Sequence, residues 1–267
     1  MTESTPLDER IIEAAKTGAV ETLKAILEQE NIDVAGFTHA RALFSGQVLA
    51  AQNNHADIIR FLLDKGADFY EFVLLTAAEY GSVETASLLI DKGADVNQKD
   101  YSGNTALMWA ARNGHTEVAR LLLDKGASPD GKEIMIGDTA LTLAVKKDNM
   151  ELARLLIKHG ADVNESDCTG STPLIWAAWN GGMETARLLI EHDADTAKKD
   201  NEGNTALAWA EKRDHPEIAV MLQEDSSRRV REKAAENEAR LHAAAALKQQ
   251  RLKEMTQRLK PKFGSAP

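Results

Sequence analysis

One short pattern returns along this chain, and its spacing constrains the fold more than any other feature. A pair of small residues, mostly Ala-Ala, recurs at intervals of 36, 27, 33, 34, 33 and 33 residues. A period of this length is typical of arrays in which a small structural unit is stacked on its neighbours. The pairs are Ala14–Ala15, Ala50–Ala51, Ala77–Ala78, Ala110–Ala111, Ala144–Val145, Ala177–Ala178 and Ala210–Glu211.

Two further patterns keep the same phase. A Leu-Leu or Leu-Ile pair precedes a glycine in four copies, and Asp193 replaces that glycine in the next copy. An Asp-x-x-Gly-x-Thr sequence also occurs three times. Because the patterns agree in register, we expect one structural unit to be repeated. The glycines are Gly66, Gly93, Gly126 and Gly160, and the aspartates are Asp100, Asp167 and Asp200.

Each unit has the features of two short helices joined by a turn. In the best-formed copy, residues 100–104 form an entering turn, and Thr105 can cap the first helix by accepting a bond from a free backbone N–H. Gly114 lies between the helices and can adopt a positive φ, and Gly126 ends the second helix. Since one such pair cannot bury its apolar face alone, neighbouring units must stack.

The segment Thr172-Pro173-Leu174-Ile175-Trp176-Ala177-Ala178 resembles the first-helix start of the ankyrin-repeat family. Other units have alanine in place of the proline, as in Thr105-Ala106-Leu107. The resemblance extends from Leu7 to Asp225. It implies an all-α solenoid whose concave face is lined by turn tips and first helices. It also implies a non-catalytic scaffold or adaptor that binds a partner peptide or domain on that face.

We predict about seven helix-pair repeats followed by a long C-terminal helix. The first and last repeats act as caps, and the third repeat is shortened. The predicted ranges are 1–6 for an N-terminal tail, 7–225 for the repeat domain, 226–260 for a basic helix and 261–267 for a flexible tail. The predicted repeats are 7–34, 41–68, 69–95, 100–132, 134–166, 167–199 and 200–225.

The chain is electrically polarised. Its formal net charge is -10, yet residues 225–267 carry 11 Lys and Arg against 5 Asp and Glu. An acidic total disfavours duplex nucleic acid as a partner, because phosphate binding needs surplus cations. Three roles stay open for the basic helix: a capping or solvated helix, a short coiled coil with a partner, or weak contact with RNA or an anionic membrane.

We find no catalytic motif and no metal-ligand spacing, so we expect neither enzymatic activity nor a cofactor. His55, His115 and His215 share the turn between helices, where a hydrogen bond to a neighbouring turn explains them. The one cysteine, Cys168, belongs to a turn tip and is expected to be exposed. The first ten residues lack a secretory signal and no apolar stretch is long enough to span a bilayer. We therefore expect a cytoplasmic protein with no membrane or small-molecule partner.

The ankyrin resemblance also implies where a partner binds, since the family varies the turn tip and the two residues after the alanine pair. The two residues after the alanine pair comprise, over all repeats, five cations and one anion. This predicts a locally basic surface and an acidic protein partner. The predicted contact residues are Tyr80, Tyr101, Arg112, Met135, Lys146, Lys147, Trp179, Lys212 and Arg213.

The four tryptophans fall into two classes. Trp109, Trp176 and Trp209 stand directly before the small pair, where Leu143 stands in another unit, so we predict that they lie in the core. Trp179 is out of phase with them. It either anchors a partner or shields the neighbouring first helix.

Two other functions stay open for a chain of this design. One is a regulatory or recognition subunit of a larger enzyme complex. The other is an oligomeric assembly protein joined through the C-terminal helix.

Overall fold

A computed structural model describes residues 6–34, 39–68 and 72–258 of the 267-residue chain. These residues form α-helices with short connections, and a single isolated bridge pairs Lys99 with Thr105. The helices are α1 Leu7–Lys16, α2 Val20–Gln29, α3 Ala40–Gln52, α4 Ala56–Asp64, α5 Phe72–Glu79, α6 Val83–Asp91, α7 Ala106–Asn113, α8 Thr116–Asp124, α9 Ala140–Lys146, α10 Met150–Lys158, α11 Pro173–Asn180, α12 Met183–Glu191, α13 Ala206–Lys212 and α14 Pro216–Arg258.

The chain divides into two compact units. The first ends at Ala219 and the second begins at Val220. The all-helical architecture with a long C-terminal helix confirms the predicted fold class. The predicted tails, apart from Pro6, lie outside the described residues, as do residues 35–38, the start of the third predicted repeat at 69–71 and the last two residues of the predicted basic helix.

Threonine caps start the first helices of the later repeats, as the sequence predicts. The hydroxyl oxygen of Thr105 accepts a hydrogen bond from the backbone N–H of Met108 at 3.3 Å. Thr139, Thr172 and Thr205 cap α9, α11 and α13 in the same way. Each cap satisfies one of the backbone donors that a helix N-terminus leaves free. The sequence pattern therefore sets where these helices begin.

The helices of the first unit form two rows. Each odd-numbered helix from α1 to α13 contacts the next odd-numbered helix, and each even-numbered helix from α2 to α12 contacts the next even-numbered one. The alanine pairs lie in the first row, where Ala50, Ala51, Ala110 and Ala111 are fully buried. Small side chains let the helices of this row approach closely. The rows stack in the register that the 33-residue period predicts.

Leucine and isoleucine fill the space between the two rows. Leu107, Leu122, Leu141 and Leu156 are completely inaccessible to solvent. Burying one such side chain stabilises the fold by about 1.5–3 kcal/mol. Because α7 to α10 contribute these residues from two successive helix pairs, the apolar core is continuous from one repeat to the next.

Histidines tie neighbouring repeats together through the turns between paired helices. The Nε2 atoms of His55, His115 and His215 lie 3.0, 2.9 and 3.3 Å from the backbone carbonyl oxygens of Lys16, Glu79 and Trp179. Each bond joins residues that are 36–39 positions apart. The predicted structural role of these three histidines is confirmed.

The second unit contains most of α14. The helix begins at Pro216, so the start expected at Ser226 lies inside it. Asp225 is buried there, and its carboxylate accepts hydrogen bonds from Arg228 and, at 2.6 Å, from Arg229. The repeat domain was expected to end at this aspartate. Instead, α14 continues through it, and the two arginines one turn further along the same helix offset its charge. Among the described residues, no helix combines the length and the apolar character needed to cross a membrane.

Candidate protein-binding face

Backbone hydrogen bonds align the tips of the turns that enter successive repeats. Ile134 N donates to Ser102 O at 2.9 Å, and Asn201 N donates to Thr169 O at 2.9 Å. Cys168 N makes the same bond to Ile136 O at 2.8 Å. We use the name recognition face for these turn tips together with the C-terminal ends of α5, α7, α9, α11 and α13. The predicted contact residues all lie on this face.

Three of the turns contain the same aspartate–tryptophan pair. The indole Nε1–H of Trp109, Trp176 and Trp209 donates to the Oδ2 atom of Asp100, Asp167 and Asp200, at 3.0, 2.8 and 2.6 Å. The other carboxylate oxygen accepts backbone N–H groups of the turn itself. Each aspartate therefore fixes both its own turn and the orientation of one indole ring.

These bonds correct the expectation that the three in-phase tryptophans belong to the core. Trp109, Trp176 and Trp209 are only half-buried. Their N–H groups need a polar partner, and the aspartates of the entering turns supply it. In the fifth predicted repeat, Ile134 stands at the place of the aspartate and Leu143 at the place of the tryptophan. The aspartate and the tryptophan are replaced together in this repeat, because the indole N–H of one bonds to the carboxylate of the other.

The hydrogen bonds keep two of these aspartates ionised. Burial opposes the charge of Asp167, but the Thr169 hydroxyl, the Trp176 indole and two backbone N–H groups outweigh it, so the pKa is lowered from its ordinary value of 3.8. The pKa of Asp200 is lowered in the same way, against burial, by the Trp209 indole and by donors from Asn204 and Glu202. Both side chains thus contribute fixed negative charges to the recognition face.

Two predicted contact cations are engaged within the chain. Lys146 Nζ lies 2.6 Å from Asp138 Oδ1 and 3.5 Å from Asp167 Oδ2, and 4.2 Å from the centre of the Trp176 ring. Arg112 Nη2 lies 3.2 Å from Glu133 Oε2. The sequence count of five cations to one anion missed these carboxylates, since they come from the turns. Carboxylates of the turns therefore offset the charges of Arg112 and Lys146, and the predicted basic character of the surface is corrected there.

Trp179 is the centre of an aromatic cluster. Its ring centre lies 4.3 Å from that of Trp209 and 6.2 Å from that of Trp176, with both pairs in edge-to-face geometry. The guanidinium carbon of Arg213 lies 4.4 Å from the Trp179 ring centre. The cluster borders a groove of about 400 Å³, which is also lined by Cys168, Thr169, Ser171, Ile175, Asp200, Asn201 and Glu202.

The remaining predicted contact residues are exposed. Tyr101 is 92% exposed and Met135 78% exposed, each at a turn tip, and Tyr80 is exposed at the end of α5. The ring of Tyr101 lies 5.4 Å from that of Phe72. Lys147 and Arg213 are also exposed, as is Lys212, whose ammonium donates to Asn204 Oδ1 at 2.7 Å. The face thus combines exposed aromatic and apolar tips with a groove that only tertiary packing forms.

The recognition face combines aromatic rings, apolar side chains and charged groups. The described residues contain no group of three or more His, Cys, Asp or Glu side chains arranged to hold a metal ion. Cys168 is a free, exposed thiol, as predicted. What the face offers a partner is aromatic rings, apolar side chains and fixed charges.

Family comparison agrees with this architecture. A family model described as ankyrin repeats matches three overlapping segments, residues 47–133, 131–200 and 169–234. The chain belongs to the ankyrin-repeat family. The matches span well over half of the chain and continue beyond the groove. Ankyrin repeats are generally protein–protein interaction modules and typically lack enzymatic activity. A search of curated proteins finds no match.

Proposed function

We propose that this ankyrin-repeat protein is a non-catalytic scaffold or adaptor that binds a partner peptide or domain on its recognition face. The aromatic cluster around Trp179 carries the proposal. Three indoles border one groove, and aromatic side chains supply much of the binding energy at protein interfaces. The exposed tips at Tyr101 and Met135 extend the same face and add apolar contact area.

The expected preference for an acidic partner stays a prediction, and the cations that support it are fewer than the sequence implied. Lys147, Lys212 and Arg213 are exposed and form no ion pair among the described residues. Charges of this kind act mainly on the rate of encounter and the choice of partner. They lie beside the groove rather than among its lining residues.

A matched pair of substitutions tests the proposed function. A partner is first captured with the full-length chain, and its dissociation constant is then measured for Trp179→Ala and Arg187→Ala. Arg187 belongs to the same repeat but lies on α12, away from the recognition face. We expect Trp179→Ala to weaken binding at least about tenfold, or ~1.4 kcal/mol, and Arg187→Ala to leave it unchanged. Equal effects of the two substitutions would contradict the proposed face.

The second unit favours one additional role, assembly through the C-terminal helix. Val230, Leu241 and Met255 are large apolar side chains that are each more than half exposed on α14. Side chains of this kind on one helix can associate with a second helix. Sedimentation of full-length Leu241→Asp, with Gln249→Asp as control, tests this role. An oligomer that only Leu241→Asp dissociates supports it, and a wild-type monomer at all concentrations excludes it.

A further inference from the structure

The recognition face contains a recurring arrangement of charges that lacks its cation at two positions, Glu79 and Trp179. We use the name rung position for the residue directly after each small pair. It holds Glu79, Arg112, Lys146, Trp179 and Lys212 in successive repeats. Arg112 pairs with Glu133, and Lys146, which lies 2.6 Å from Asp138 of its own turn, also lies 3.5 Å from Asp167, so each of these cations reaches an acidic residue of the next turn.

In the next repeat, Trp179 occupies the rung position in place of a cation. The next turn contains Asp200 and Glu202, and neither carboxylate has an ion-pair partner among the described residues. Lys212 is close, with its ammonium 4.7 Å from the Trp209 ring centre, but it donates to Asn204 rather than to these carboxylates. The turn that contains Asp200 and Glu202 thus retains its negative charge, whereas in each of the previous two turns a cation of the chain pairs with a carboxylate.

The preceding repeat shows what a complete site looks like. The Lys146 ammonium lies over the Trp176 ring and within 3.5 Å of Asp167, the same carboxylate that accepts the Trp176 indole N–H. In the next repeat, Trp209 and Asp200 form the same indole–carboxylate pair, and the Trp179 ring lies against Trp209 where Lys146 would lie against Trp176. The indole–carboxylate pair occurs at Trp109, Trp176 and Trp209, and among the described residues only Trp176 has a cation of the preceding repeat over its ring.

The groove beside this rung position is open, and its lining residues suit a bound cation. Its ten lining residues include three tryptophans and two carboxylates, and none of them is cationic. Aromatic faces next to carboxylates attract a cation whose stem is apolar, because the stem packs on the rings and the charge remains near the anions.

We propose that the groove between Trp176, Trp179, Trp209 and the Asp200–Glu202 turn binds a basic side chain, arginine or lysine, that a partner protein inserts to complete the rung. This deepens the proposed function and rests on it, since it names the chemistry of one partner residue. The partner's cation then lies in the groove beside the Trp179 ring, near the Asp200 and Glu202 carboxylates. Lys212 and Arg213 are not among the groove-lining residues, and their head groups lie 4.7 and 4.4 Å from the Trp209 and Trp179 ring centres.

Small mimics of the side chain test the groove directly. Full-length protein with ¹⁵N-labelled tryptophan is titrated with n-butylguanidinium chloride and, in parallel, with the neutral n-butylurea, at constant ionic strength. We expect saturable shifts of the Trp176, Trp179 and Trp209 indole N–H signals at concentrations on the order of 10 mM, with the Trp109 signal as internal reference. n-Butylurea should bind at least about tenfold more weakly. Equal binding of the two compounds, or no saturable shift, overturns the proposal.

Two carboxylate variants and one matched control separate charge from turn structure. Glu202→Gln removes an exposed charge without removing a buried contact, so it should fold normally and weaken n-butylguanidinium binding several-fold. Asp200→Asn should weaken it further, whereas Asp100→Asn makes the same change in an equivalent turn and should leave binding unchanged. Unchanged binding in Glu202→Gln and Asp200→Asn overturns the proposal.

A captured partner distinguishes failure of this inference from failure of the proposed function. If Trp179→Ala weakens the partner but Glu202→Gln and Asp200→Asn do not, the partner uses the face without a basic side chain in the groove, and only the inference fails. If Trp179→Ala has no effect either, the proposed function of the face fails as well.

Discussion

Lys146 joins two successive turns of the repeat array, because its ammonium lies 2.6 Å from Asp138 and 3.5 Å from Asp167. Both carboxylates are almost completely buried, with side-chain exposures of 4% and 0%. Buried carboxylates that lose their cation are costly, because only their remaining hydrogen bonds then offset their removal from water. Lys146 is therefore a structural residue of the recognition face.

Substitution of Lys146 should destabilise the fold while its neighbour tolerates the same change. Lys146→Met leaves Asp138 and Asp167 without a cation, and we expect the free energy of unfolding to fall by about 1–3 kcal/mol. Lys147 is exposed and forms no ion pair among the described residues, so Lys147→Met should stay within about 0.5 kcal/mol of the wild type. Urea denaturation measures both, and equal stability of the two variants would refute the bridging role.

Stability should depend on pH through Asp167. Its pKa in the folded protein is lowered from 3.8, so the unfolded state binds the proton more readily. The stabilising contribution is then complete above the unfolded pKa and is lost as pH falls through the folded one. The gap in unfolding free energy between wild type and Asp167→Asn should be constant at neutral pH and should narrow below about pH 4. A gap that widens in acid would contradict this.

Replacement of Asp193 by glycine should stabilise the folded protein. It ends α12 with a φ of +65°, where the equivalent residues Gly126 and Gly160 have φ of +89° and +88°. A side chain in this left-handed region costs about 1 kcal/mol. We expect Asp193→Gly to raise the free energy of unfolding by up to that amount. Gly160→Ala is the reciprocal control, since an added Cβ there meets no atom within 4 Å and only the backbone cost remains.

Gly81 is required for two reasons that a double-mutant cycle can separate. Its φ is +76°, and an added Cβ would lie 2.7 Å from Nδ1 of His115, the histidine that ties this turn to the next repeat. Gly81→Ala should therefore cost about 1 kcal/mol or more beyond Gly160→Ala. In a His115→Ala background that excess should disappear. Thermal unfolding of the four proteins measures it, and additive effects would exclude the predicted clash.

The sequence was sufficient for several features that depend on neighbouring positions along one helix pair. The threonine caps, the glycines at positive φ and the buried alanine pairs are local features, and the repeat period gives them one common register. The paired replacement of aspartate by Ile134 and of tryptophan by Leu143 was also visible in the sequence. It was the signal that could have placed Trp109, Trp176 and Trp209 at the surface.

The sequence by itself determined the helix pair, its caps and its stacking period, because these follow from short-range backbone geometry and apolar spacing. Only the tertiary structure decided that Lys146 is held by Asp138 and Asp167, and that Trp179 lies between Trp176 and Trp209. It also decided that Asp200 forms no ion pair with any other described residue. Stacking brings together residues about one repeat apart. Which of them meet depends on the exact displacement between neighbouring helices, and no pattern within one repeat specifies that displacement.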